Sequence, residues 1–130
     1  MHPTIEKLIA AGPVVTDGAW GTQLQARGLA IGDFPDAWNL SQPERVAEVA
    51  RAYVDAGSRV ILTNTFGANR IRLAENSLAD RVVEINRRGV ELSREAAAGK
   101  AAVFASMGPT GKLLLSGEVN AEELLAAFAE

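Results

Sequence analysis

Three short stretches of this chain place polar groups directly after apolar runs, and any chemistry would begin there. Thr16-Asp17-Gly18 follows Pro13-Val14-Val15, and Thr63-Asn64-Thr65 follows Val60-Ile61-Leu62. Ser106, leading into Gly108-Pro109-Thr110-Gly111, follows Ala101 to Ala105. Asp17 can accept hydrogen bonds from an ammonium group and balance its charge. Gly18 and Gly21 let backbone N–H groups approach a carboxylate with no Cβ in the way. Thr63, Asn64 and Thr65 add neutral donors and acceptors. This set suits a small zwitterion better than a nucleotide. Gly108 to Gly111 looks like a phosphate-cradling loop, but Lys112 is followed by Leu113 and not by the Ser or Thr of a P-loop. Each stretch also has a plainer role: Asp-Gly is a common turn, and threonine has a high strand propensity.

The elements that position these groups follow from periodicity. Thr4 to Ala11 reads as a short helix with Ile5, Leu8 and Ile9 on one face and Gly12 as its stop. A strand at 13–16 comes next, then a loop with Gly21, Gly28, Gly32 and Pro35 as breakers. Ser41-Gln42-Pro43-Glu44 predicts a helix start with Ser41 as N-cap and Glu44 at the capping-box position. Val46, Val49, Ala50, Tyr53 and Val54 give that helix one apolar face. Gly57 ends it, and a strand spans 59–65. Helices are predicted at 69–76 and 79–98, the second with Val82, Val83, Asn86, Val90 and Ser93 along one side and Gly99 as its stop. A third strand covers 101–106, and Asn120 with Glu123 opens a last helix through Leu124, Leu125 and Phe128. Alternating strands and helices predict an α/β fold with a parallel sheet, so all three polar strand ends share one face.

Bulk properties narrow the function classes. The chain has 130 residues and 48% apolar content, which suits one domain with a sizeable core. A net charge of −3, with both signs mixed along the chain, argues against nucleic acid as a partner. No cysteine is present, which removes disulfides and any cysteine-held zinc within this chain. His2, the single histidine, reads as an exposed terminal residue. Arg70 with Arg72 and Arg87 with Arg88 read as solvated helix faces. Trp20 and Trp38 flank the first loop as packing residues or pocket walls. No signal peptide or membrane-length apolar run appears, so the expectation is a soluble cytoplasmic protein with no membrane partner.

Taken together, three motifs resemble one family. "VVTDGAWGTQLQARGL" is similar to the opening strand and loop of the homocysteine S-methyltransferases. "NLSQPERVAEVARAYVDAGSRVILTNTFGANRIRL" resembles that family's second βα unit almost throughout, and "FASMGPTGKLL" its third strand and turn. The family includes betaine–homocysteine methyltransferases and the homocysteine-binding module of cobalamin-dependent methionine synthase. The resemblance implies a (βα)8 TIM barrel in which zinc binds the homocysteine thiol as thiolate, the nucleophilic form. It implies that Asp17 and Gly18 hold the amino-acid end of homocysteine, with Thr63 and Asn64 binding that same end. It leaves the methyl donor open among betaine, S-methylmethionine and a methyl-corrinoid.

Two departures from the family shape the expectation. Its zinc ligands are late cysteines, which this chain lacks, and a barrel of this class needs about 250 residues. Residues 1–130 are therefore expected to be a single partial domain, the N-terminal three βα units of a barrel truncated at its C-terminal end. Such a piece exposes sheet edges and apolar helix faces, so self-association or a complementary chain is expected. Two further readings compete with a methyltransferase that is complete only with downstream sequence. One is an inactive binding or assembly module on the same scaffold; the other is a flavodoxin-like domain, for which Asp17-Gly18-Ala19-Trp20 makes a poor phosphate loop.

Overall fold

A computed structural model describes residues 1–130. Pro3–Ile9 forms helix α1, capped by His2, whose Nδ1 accepts from the Thr4 N–H. The stretch predicted as a first strand is reduced to one parallel bridge between Thr16 and Val60. Two backbone bonds still tie it to the sheet, from Arg59 N to Val15 O and from Asp17 N to Val60 O. A longer strand does not form because Gly12 turns the chain at φ 108° and Pro13 has no N–H to give. Only two full strands exist: β1, Val60–Leu62, and β2, Ala102–Phe104, paired in parallel with Ile61 opposite Val103. β1 is the centre, flanked by the 15–17 segment and by β2.

The predicted first loop contains more structure than its breakers suggest. Trp20–Gln25 is helix α2, Pro35–Ala37 a 3-10 turn, and Trp38–Ser41 the short helix α3. Helix α4 is Pro43–Asp55, with proline in its first turn. Ser41 is not its N-cap; that position is Gln42, and the Ser41 hydroxyl donates back to Ala37 O inside α3. Val46, Val49, Ala50 and Val54 are buried as their spacing predicts, with Tyr53 at the margin.

Asn69 caps α5, Arg70–Ala74, and α6 runs from Val82 to Ala97 after a 3-10 turn. The buried face of α6 meets the predicted stripe at Val82 and Ser93, with Asn86 half-buried, but not at Val83 and Val90. Ile85, Gly89, Leu92, Ser93, Ala96 and Ala97 point inward with Val82, whereas Val83 and Val90 are 47% and 37% exposed. Small residues face inward because α6 lies close against its neighbours: a Cβ on Gly89 would stand 2.6 Å from Thr65 Cγ2 and 2.8 Å from Asn39 Nδ2. The last helix, α7, Ala121–Ala129, carries the predicted capping box of Asn120 and Glu123.

Strand alternation divides the core. Ile61 points to α4 and α6, where it packs with Ala50, Val54, Ala96 and Ala97. Val60 and Leu62 point the other way, toward Ile5, Leu8 and Ile9 of α1 across an apolar cavity of about 340 Å3. β2 pairs on one side only, and Leu113, Leu114, Leu115, Leu125 and Phe128 are exposed on the segments that follow it. No helix is long and apolar enough to cross a membrane.

Candidate functional site

Beyond the carboxyl end of β1 lies a cavity of about 870 Å3, reached by Gly18, Trp20, Asp36, Thr63, Asn64 and Gly67 among others. Its base is a hydroxyl chain between the two strand ends. Thr65 Oγ1 donates to Ser106 O at 2.9 Å, the Ser106 N–H donates to Thr63 Oγ1 at 3.0 Å, and the two threonine oxygens are 2.6 Å apart. Because the Thr65 proton points to Ser106, Thr63 is the donor of the pair. A backbone bond from Gly108 N to Phe66 O extends the connection past the strands. Gly108 must be glycine there, since a Cβ would stand 2.5 Å from that same oxygen.

Asn64 is held from the other side. Its Nδ2 donates to Pro35 O at 2.9 Å and to Asn39 Oδ1 at 3.0 Å. Asn39, fully buried, returns Nδ2 bonds to Asn64 O and to Ile85 O. This exchange fastens β1's end to α3 and α6, and it leaves Asn64 Oδ1 without a hydrogen bond. Thr63 and Asn64 therefore direct most of their polar atoms into the protein.

Asp17 is anchored too. One of its oxygens, Oδ2, accepts from Trp20 Nε1 and from Leu62 N, each at 2.7 Å, while Oδ1 makes no hydrogen bond. Asp17 lines the smaller cavity beside α1, and its neighbour Gly18 lines both cavities. Tyr53 donates to Ala19 O at 2.9 Å and would meet a Cβ on Gly18 at 3.3 Å. Burial, then the Asp17 charge, raises the Tyr53 pKa above its ordinary value. The structure thus brings Gly18, Thr63 and Asn64 to one cavity and sets Asp17 at its border.

None of the three acids of the large cavity, Asp33, Asp36 and Glu75, stands out in the sequence, and of these Asp36 is the buried one. Asp36, only 3% exposed, accepts from the Gly67 N–H through Oδ1 at 2.9 Å. Gly67 permits the approach, since a Cβ there would stand 2.8 Å from Phe34 Cζ and 3.1 Å from Asp36 Oδ2. Burial raises the Asp36 pKa to about 6, against the opposing pull of the Gly67 N–H, its own backbone and the Arg72 charge. Arg72 reaches the same cavity and pairs with Glu75 at 2.8 Å. Trp38 is a packing residue, stacked under Arg45 with 5.6 Å from guanidinium carbon to ring centre.

A zinc ion does not fit the residues present. The chain has no cysteine, His2 caps α1, and no three His, Asp or Glu side chains converge on a metal-sized space.

Parallel strands backed by helices, with a cavity past the strand ends, define an α/β protein. The sequence pattern of the homocysteine S-methyltransferase family matches residues 14–130, and the chain belongs to that family. It is 33% identical to methionine synthase of Mycobacterium tuberculosis over 129 residues, covering 90% of this chain. It is 32% identical to the Mycobacterium leprae methionine synthase over 134 residues, covering 94% of this chain. In both cases it spans 11% of the relative's length. Its fold is similar to that of the homocysteine methyltransferase MmuM from Escherichia coli. The oxidized form superposes with a TM-score of 0.71 at 25% identity, covering 82% of this chain and 41% of MmuM. The metallated form gives 0.73 at 26%, covering 87% and 44%.

Proposed function

We propose that this chain supplies the amino-acid-binding part of a homocysteine S-methyltransferase, in which a methyl group passes to the homocysteine thiol and gives methionine. The observation that carries the reading is the cavity at the end of β1, lined by Gly18, Thr63 and Asn64, in a chain of this family. Asp17 and Gly18, with Thr63 and Asn64, hold the amino-acid end of homocysteine. Asp17 Oδ1 and Asn64 Oδ1 are hydrogen-bond acceptors left free, and Gly18 brings backbone to the cavity wall without a side chain.

In this reading the chain's residues bind and orient the substrate, and no step is routed through a metal that they do not hold. Fixing one end of a flexible thiol raises the fraction of productive encounters with the donor. In this reading residues 1–130 are the first βα units of a (βα)8 barrel in a cytoplasmic enzyme; the likeness of fold to MmuM, of which they cover 41–44%, supports the barrel part of it. The open edge of β2 and the exposed leucines at 113–115 suit cover by further barrel units, by a complementary chain or by a second copy. A second reading, an inactive binding or assembly module, is favoured by one observation: the absence of a thiolate-activating donor set.

Calorimetric titration of homocysteine into the chain tests the first reading, with Asp17→Ala as control. Saturable heat that is lost in the variant is the expected result; no heat from the wild type would overturn it.

A further inference from the structure

Asp36 has an oxygen for which the protein offers no partner. Oδ1 is occupied by the Gly67 N–H, but Oδ2 makes no hydrogen bond. Asn69 Nδ2 is the only fully enclosed side-chain polar atom without a partner, so Asp36 Oδ2 retains contact with open space. That space is the large cavity, which Asp36 lines. A carboxylate 3% exposed with an unmatched oxygen is costly unless a donor meets it.

The neighbouring groups define that donor. Asn64, a residue of the same cavity lining, donates Nδ2 to the carbonyl of Pro35 beside Asp36 and leaves Oδ1 as a second acceptor without a hydrogen bond. Two acceptors, one of them anionic, complement a cationic group bearing several N–H bonds. Arg72 carries such a charge, but it makes no hydrogen bond to Asp36 and is paired with Glu75. The volume suits a small ligand, not a single water.

We propose that Asp36, through Oδ2, accepts a hydrogen bond from the primary ammonium group of the amino acid bound in this cavity. This rests on the homocysteine reading above and adds a second acid to it. A primary ammonium has three donors, so Asp36 complements Asp17, which lies at the cavity's border. The raised acidity constant accords with this role, since an arriving cation would draw the carboxyl back to its charged form.

Three probes separate the outcomes: homocysteine, its deaminated analogue mercaptobutanoate, and norleucine, an amino acid with no thiol. Asp36→Asn keeps the Oδ1 acceptor for Gly67, removes the charge and puts an amide NH2 donor in place of the free acceptor Oδ2. Homocysteine binding should weaken on the order of tenfold to a hundredfold in the variant, with mercaptobutanoate unchanged. If homocysteine binds both proteins equally, or both ligands weaken alike, the inference is overturned and the homocysteine reading stands. If norleucine binds in an Asp36-dependent way and homocysteine does not bind, the ammonium contact stands and the homocysteine reading falls. Binding of none of the three by the wild type overturns both.

A wild-type measurement covers the case in which the variant does not fold. Homocysteine affinity should fall as pH drops through about 6, and mercaptobutanoate affinity should not. The other charged side chains on the cavity are Asp33, Arg72 and Glu75, while α6 meets the adjoining Asn39 with uncharged Ile85 and Gly89. Parallel profiles for the two ligands would assign the effect to those groups and overturn the inference.

Discussion

Gly89 and Thr65 meet so closely that a single carbon added to the glycine would overlap the threonine methyl, at 2.6 Å. This contact presses the middle of α6 against the polar end of β1. Gly89→Ala therefore opposes helix propensity, which alone would favour alanine by about 1 kcal/mol. Overpacking should win, with a net loss of roughly 1–3 kcal/mol in urea denaturation. Unchanged or raised stability would show that α6 can withdraw from Thr65 at little cost.

Asp36 gives the fold a pH dependence of unusual sign for a carboxylate. Its pKa rises from 3.8 to about 6 on folding, so between these values the folded state holds the proton and the unfolded state does not. Stability from this group is present below its unfolded pKa and is lost as pH rises through the folded one. The shift corresponds to about 3 kcal/mol. Denaturation midpoints measured from pH 4 to 7 should show this downward component in the wild type, and Asp36→Asn should remove it. Identical slopes in the two proteins would contradict the assignment.

Asp17 is the acceptor for the Leu62 N–H as well as for the Trp20 indole. In Asp17→Ala the Leu62 amide loses its partner, and its hydrogen exchange should speed up on the order of tenfold, the equivalent of about 1.4 kcal/mol. Trp20 fluorescence should change with it. Retained protection at Leu62 would mean that α1 and the 15–17 segment enclose this amide without the carboxylate.

The exposed edge of β2 and the leucines at 113–115 predict association. Size-exclusion chromatography with light scattering should show a mass that rises with concentration. A stable monomer across a broad concentration range would count against an uncovered sheet edge as the dominant feature of this surface.

What was readable in the sequence followed local rules. β1 is an apolar run, α4 has proline in its first turn and a clean apolar stripe, and α7 carries its capping box in four residues. The face of α6 was partly misread because Val83 and Val90, seven residues apart, draw the eye, while the buried side is built from small residues. Their value is closeness of approach, a property of the neighbours and not of α6 alone. Asp36 and Asn39 were missed for a related reason. They lie among Gly32, Pro35 and Pro43, where periodicity carries no signal. Asn39 finds its partners 25 and 46 positions away. The polar run at Thr63 to Thr65 was legible as a strand end beside a cavity. That much of its hydrogen bonding serves the join to Ser106, Asn39 and Pro35 was not.

The bond between Gly108 and Phe66 has a consequence for binding itself. The loop after β1 and the loop after β2 share it, and a side chain at 108 would break it, so the two loops are tied together at that point. A ligand settling on that floor meets a surface already ordered. A tie of this kind lowers the conformational entropy that the two loops lose on association.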